Sequence, residues 1–277
     1  MSSWPKRIIC LTEETTETLY LLGEQDRIVG ISGFTVRPQQ ARKEKPKVSA
    51  FTSAKIDKIL DLKPDLVLGF SDLQADIAAD LIKHGVEVYV LNHRTVDGIL
   101  RMIRTLGRLV DVADKAEKLA SSYEQKIADI RTQTRQWPTR PRMYFEEWWD
   151  PIISGIGWVS ELIEIAGGED CFSDNAKHPD GKSRIVADPL TVVERKPDII
   201  IGSWCGKKFH PNKVAERPGW ENVQAVLDQE VYEIKSAYIL QPGPAALTDG
   251  LDQLFEITSA WHAKTRTVSR SLMKMWV

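Results

Sequence analysis

Lys63-Pro64-Asp65-Leu66-Val67-Leu68-Gly69, in the first half of the chain, returns in the second half as Lys196-Pro197-Asp198-Ile199-Ile200-Ile201-Gly202. Each copy closes a short apolar helix face, Ile56, Ile59 and Leu60 in the first and Leu190, Val192 and Val193 in the second. Proline disfavours helix in the residue before it, so each face stops there and a β-rich apolar run opens. Both copies therefore read as a helix running into a buried strand.

The surroundings of the echo repeat in the same order. Leu21-Leu22-Gly23-Glu24-Gln25-Asp26 precedes the first copy as Ile165-Ala166-Gly167-Gly168-Glu169-Asp170 precedes the second, and the later strand Val86-Glu87-Val88-Tyr89-Val90 is matched by Val231-Tyr232-Glu233-Ile234. Three elements recurring in one order, with strands alternating with helices, predict an α/β protein of two related lobes with mostly parallel sheets.

Between the halves a helical pattern runs from Thr95 to Gln136, with Ile99, Met102, Ile103, Leu106 and Val110 on one apolar face and a break at 111–113. Its second part, carrying Leu119, Tyr123, Ile127 and Ile130, predicts a rigid strut of ~23 residues and ~35 Å. Pro138 and Pro141 then punctuate the entry to the strand Met143-Tyr144-Phe145-Glu146. The expected organisation is an N-terminal lobe over 1–110, a backbone helix over 111–137 and a C-terminal lobe over 138–277. The segments 37–47 and 173–184 lack apolar period and read as surface loops.

Composition narrows the function classes. The 277 residues are 42% hydrophobic and 27% charged with a formal net charge of −2, an ordinary globular balance with no global field for nucleic acid. No window approaches the ~18 apolar residues of a membrane span. The first residues show no export signal, and three widely spaced cysteines, Cys10, Cys171 and Cys205, fit thiols kept reduced. Taken literally, these features describe a cytoplasmic chain that is not inserted in a bilayer.

Aromatic residues gather where loops should follow strands: Phe34, Phe51 and Phe70 in the first half, Trp148, Trp149, Trp158 and Trp204 in the second. Ligands of open α/β sheets bind outside the strands' carboxyl ends, so these residues are candidates to grip a flat or bulky apolar body. Core packing is the competing account for any one of the tryptophans. Ser154-Gly155-Ile156-Gly157-Trp158-Val159-Ser160 imitates a dinucleotide fingerprint but has Ser160 in place of the third glycine, and reads better as a tight turn with Ser160 as a helix cap.

The five histidines, His84, His93, His178, His210 and His262, form no metal-ligand spacing, and His93 reads as solvated. No nucleophile motif is present, so neither catalytic residues, a metal site nor a cofactor is assigned. Asp188-Pro189 and Ser53 read as helix caps, and Asp57 as an exposed carboxylate one turn into its helix.

The series Arg27-Ile28-Val29-Gly30-Ile31-Ser32, Lys47-Val48-Ser49, Ile56-Asp57-Lys58-Ile59-Leu60-Asp61-Leu62-Lys63-Pro64-Asp65-Leu66-Val67 and 163–170 resembles the substrate-binding proteins of cobalamin, haem and iron-siderophore ABC importers, most of all the cobalamin branch. The resemblance covers about residues 7–262. It implies two Rossmann-like lobes joined by one long rigid helix, acting as a monomer that holds a metal chelate, cobalamin first among them, between aromatic side chains. It places the cleft at Phe34, Phe51, Phe70, Trp148, Trp149, Trp204 and Tyr238, with Arg37 and Glu147 as polar partners.

It further implies an ABC permease as partner, docked through Asp57 on one lobe; on the other the matching position is Leu190, with Asp188 and Glu194 nearby. It also implies a periplasmic or surface-lipoprotein setting, against the literal cytoplasmic reading. Three other accounts stay open: an α/β enzyme of chelatase type, a cytosolic ligand sensor or buffer, and an interaction module. An enzyme would converge titratable groups in the cleft, and an interaction module would expose its aromatics as a patch elsewhere.

Overall fold

A computed structural model describes residues 5–274 of the chain, which divides into two compact units. One unit ends at Tyr123 and takes back Gln241–Pro244; the other comprises Glu124–Leu240 and the chain from Ala245 onward.

The first unit holds a six-stranded sheet of β1 (Ile8–Cys10), β2 (Ile28–Ser32), β3 (Lys47–Ala50), β4 (Ser53–Ala54), β5 (Leu66–Phe70) and β6 (Val88–Leu91), in the order β4-β3-β2-β1-β5-β6. All neighbours are parallel except β3 and β4, so the strand order reverses direction between β1 and β5. Ile9, Leu11, Val48, Ile59, Val67, Ile77 and Leu81 form a core under one face.

The second unit repeats the design with β7 (Arg142–Trp149), β8 (Ile152–Ser154), β9 (Glu169–Asp170), β10 (Ile199–Gly202) and β11 (Val231–Glu233), ordered β11-β10-β7-β8 with β9 beside β7. Only β8 runs antiparallel. Its core gathers Tyr144, Phe172, Val192, Ile200 and Trp220, against which Trp148 and Trp149 pack half-buried. Mostly parallel sheets covered by helices are what the repeated pattern predicts, and both echo copies are fully buried strands, β5 and β10.

The physical content of the echo is visible in both copies. Lys63 and Lys196 follow short helices and adopt left-handed backbone, φ 45° and 48°, which turns the chain from helix to strand. The aspartates then pin the neighbouring strand: Asp65 accepts from the backbone N–H groups of Lys6 and Arg7 at 2.7 and 2.9 Å, and Asp198 from that of Arg142 at 2.8 Å. Their own N–H groups donate to Arg7 and Arg142 in turn.

The long pattern resolves into helices Val96–Leu109 and Ala113–Thr134, the first capped by Thr95, whose hydroxyl accepts from Gly98 N at 3.0 Å. The expected break falls at Asp111, φ 62°. The second helix carries the chain across the division at Tyr123.

Several local expectations are corrected. Ser53 lies in β4 and caps nothing; its helix, Ile56–Asp61, starts after Lys55. Ser160 sits inside the helix Gly157–Ile165, because the chain turns helical directly after Ile156. The 37–47 segment contains a helix, Gln39–Glu44, and the 173–184 segment ends in a buried Arg184. Trp148 and Trp149 stand on β7 itself, which continues past Glu146 because β8 folds back to pair with it. His93 is buried, its Nε2 2.8 Å from the Pro242 carbonyl oxygen, and burial, with Arg94 and Arg101 adding, lowers its pKa to about 4.

Candidate functional site

The second unit carries the more developed site. β7 and β10 lie side by side with Gly202 opposite Glu146, so their carboxyl ends bring together Trp148 and Trp149 from one strand and Trp204 from just beyond the other. The ring centroids step from Trp148 to Trp149 at 4.2 Å, to Trp204 at 4.9 Å and to Phe209 at 5.0 Å. Gly202 makes the last step feasible, since a Cβ there would lie 1.9 Å from the Phe209 ring.

Beneath this run Glu146 is fully buried and accepts four hydrogen bonds. Trp204 Nε1 donates to one oxygen at 2.9 Å, Tyr144 Oη to the other at 2.9 Å, and the Arg217 guanidinium grips both at 2.5 and 2.8 Å. A buried carboxylate needs such compensation, and here the compensation orients the indole of Trp204. Burial first, and then the charge of Glu146, push the Tyr144 phenol up, so it remains a donor.

Trp149 and Trp204 border an open pocket of about 730 Å³ whose other walls come from the segment after β10: Lys207, Lys208, His210, Lys213, Glu216, Arg217 and Pro218. The Lys207 ammonium stands over the Trp149 ring, 4.3 Å from its centroid, and 5.5 Å from that of Trp148. The volume and the mixture of indole faces with charged groups suit a substantial organic ligand.

In the first unit the carboxyl ends of β1, β2, β3 and β5 carry a polar arrangement around aromatics. Gln74 is fully buried: its Oε1 accepts from Phe70 N at 2.9 Å while its Nε2 donates to Phe51 O at 2.9 Å and Leu11 O at 3.4 Å, tying Phe51 and Phe70 together. Phe70 is buried, with His93 edge-on at 5.3 Å and the Arg94 guanidinium 4.8 Å from its centroid. Phe34 projects, 56% exposed, from the loop after β2.

That loop is held by glutamates of the helix Glu13–Leu21. Glu13 accepts from Val36 N and Glu17 from Arg37 Nε, both at 2.8 Å, while Glu14 accepts from the Thr12 hydroxyl at 2.5 Å. Glu13, Glu14 and Glu17 are all buried. Burial, with Glu14 and Glu17 adding, raises the Glu13 pKa to about 8; burial, with Glu17 adding, raises that of Glu14 to about 7.

The remaining expected residues have other employment. Trp158 is 3% exposed and donates its indole N–H to Ile239 O at 2.9 Å, because the helix entered at Gly157 turns it inward. Glu147 neutralises the buried Arg184 at 2.6 Å. Arg37 is paired with Glu17, and Tyr238 lies part-buried in the helix Ser236–Ile239. Asp57 is exposed in the first turn of its helix. Asp188 is also exposed, and its carboxylate caps Leu190 N at 2.9 Å.

Sequence reasoning missed Glu146, Arg217, Gln74 and the buried glutamates. A readable signal existed for the last: Thr12-Glu13-Glu14-Thr15-Thr16-Glu17-Thr18 follows a buried strand directly, so the first turns of this helix, which carry no apolar residue, can be buried only through polar side chains. Among the described residues no cluster of three or more metal-ligating side chains occurs, and no helix is long and apolar enough to cross a membrane.

Two α/β units with parallel-dominated sheets, each bearing aromatics at its strands' carboxyl ends, have the build of ligand-binding α/β proteins, whose sites lie at those ends. The chain belongs to the periplasmic binding protein family, which it matches over residues 8–238. It is 26% identical over 262 residues to an uncharacterized ABC transporter substrate-binding lipoprotein of Bacillus subtilis, spanning 91% of this chain and 79% of that one. To the vitamin B12-binding protein of Vibrio cholerae it is 27% identical over 261 residues, 90% of this chain and 87% of that one. Its fold matches the periplasmic heme-binding protein of Roseiflexus sp. RS-1 with a TM-score of 0.77 at 22% identity, covering 91% and 99% of the two chains. The family consists of binding proteins rather than enzymes.

Proposed function

We propose that this protein is the ligand-binding component of an ATP-driven importer and that its ligand is a bulky metal chelate, cobalamin in the first place. The observation that carries this reading is the continuous aromatic run Trp148–Trp149–Trp204 at the mouth of a pocket of about 730 Å³, with Trp204 held in orientation by Glu146. The half-buried Trp148 and Trp149, tilted 36° to each other and backed by the buried Trp204, offer low-entropy apolar area to a macrocycle, with aromatic contacts worth about 1 kcal/mol per ring pair beyond simple burial. Relatives named vitamin B12-binding proteins, similar over nine-tenths of this chain, support a corrinoid.

In this reading the protein acts as a monomer and presents Asp57 and Asp188, both exposed, to an ABC permease. The ligand brings its own metal, so the protein supplies shape and contacts and no resident cofactor.

The test is titration with cobalamin, haemin and ferric siderophores while following tryptophan fluorescence. Saturable quenching by cobalamin, weakened about tenfold or more in Trp149→Ala, is expected; tenfold corresponds to about 1.4 kcal/mol. Quenching by haemin or a siderophore alone would replace the corrinoid, and no response to any of the three would overturn the import reading.

A further inference from the structure

We infer that the pocket of the second unit receives an anionic edge of the ligand, so that the flat body lying against Trp149 and Trp204 carries acid groups, carboxylate or phosphodiester, that meet Lys207, Lys208 and Lys213. The inference rests on the proposed function for taking this pocket as the ligand site, and goes beyond it by fixing the charge of what enters.

The pocket is basic in a chain that is not. Four cations, Lys207, Lys208, Lys213 and Arg217, converge on it against one carboxylate at its rim, Glu216, and one beneath it, Glu146, whereas the whole chain has a formal net charge of −2. Of the four, Arg217 is neutralised by its two hydrogen bonds to Glu146. Among the described residues Lys208 and Lys213 have no ion-pair partner. A few lysines elsewhere are paired, as Lys126 with Asp252 at 2.7 Å and Lys264 with Glu230.

Lys207 adds a directional element. Its ammonium stands over the faces of Trp149 and Trp148, so a flat body that reaches those faces displaces it toward the body's rim, where acid substituents would meet it. Like charges gathered around one concavity raise the local concentration of an opposite charge, and low-dielectric walls strengthen the effect. All three are exposed, and they line one opening with an indole wall.

The experiment compares pairs of probes with and without acid groups: haemin with its dimethyl ester, which removes the free carboxylates, and cobalamin with cobinamide, which removes the phosphodiester together with the rest of the nucleotide loop, so that for this pair the salt and lysine dependence reads the charge. Pyrenetetrasulfonate serves as a planar polyanion without a metal. Binding is measured in the parent and in Lys208→Gln/Lys213→Gln, whose fold is checked by circular dichroism. The acid member of at least one pair is expected to bind about tenfold tighter, with the advantage shrinking as salt rises from about 50 to about 300 mM and largely lost in the double variant.

Preference in the haemin pair assigns the site to carboxylates, and preference in the cobalamin pair to a phosphodiester. Equal binding of charged and neutral members, or unchanged binding in the double variant, overturns the inference while leaving the proposed function standing. Lysine-dependent binding of pyrenetetrasulfonate with no chelate bound supports the inference and overturns the proposed function. No binding by any probe overturns both.

Discussion

The Arg217 guanidinium holds the fully buried Glu146 carboxylate through two hydrogen bonds, 2.5 and 2.8 Å, across 71 residues of sequence. The pair ties the segment that walls the pocket to the strand that carries Trp148 and Trp149. Removing one partner strands the other charge in the interior, the costly half of any buried ion pair.

Glu146→Gln and Arg217→Met are each expected to lower the unfolding free energy by about 3 kcal/mol. The double variant should lose less than the sum of the two, by at least about 1 kcal/mol, since neither charge is then left alone. Urea denaturation of the four proteins measures this; additive losses would show that the pair is not coupled.

Gly202→Ala should destabilise the second unit by about 1–3 kcal/mol, because the added methyl group meets the Phe209 ring and a packed core resists insertion. Displacement of Phe209 also disturbs its edge-to-face contact with Trp204. A changed near-ultraviolet circular dichroism spectrum should therefore accompany the loss. An unchanged spectrum with full stability would mean that the ring yields without cost.

Lys63→Gly and Lys196→Gly should each raise stability by about 0.5–1 kcal/mol. Both residues occupy left-handed backbone just past a helix end, where a side chain is strained and glycine is not. The gain, read from thermal melting, should be similar at the two sites because the geometry is the same; a loss at either would reveal a contact of the lysine side chain that outweighs the strain.

Stability should fall as pH rises from about 6.5 to 8. Glu13, with a pKa of about 8 in the fold against a usual 4.5, and Glu14, at about 7, keep protons that the unfolded chain has already released, so each step of alkalinity favours unfolding. The buried His93, at about 4 against a usual 6.5, acts in the opposite sense, but only below about pH 6.5, where the unfolded chain takes up a proton that the folded one refuses. One group titrating in this way costs about 1.4 kcal/mol per pH unit, or about 3 °C in melting temperature. Glu13→Gln should flatten the decline; a parent melting temperature that is level from pH 6.5 to 8 would contradict it.

The sequence by itself determined the α/β class, the buried echo strands β5 and β10, the helix break at Asp111 and the gathering of aromatics toward strand ends. These features are local: a proline after a helix face, an apolar run and a 3.6-residue period act within a few residues and leave their mark in order along the chain. Only the tertiary structure decided which aromatics meet and what holds them. Trp148 and Trp149 join Trp204 because β7 pairs with β10 in one register, while Trp158, equally aromatic in the sequence, is turned inward by the helix entered at Gly157. Glu146 and Glu147 are adjacent and chemically alike, yet one finds Arg217 and the other Arg184. Whether a charge is buried depends on partners far away in the chain, since in low dielectric an ion survives only beside its counterion, and that pairing exists only after the sheet has formed.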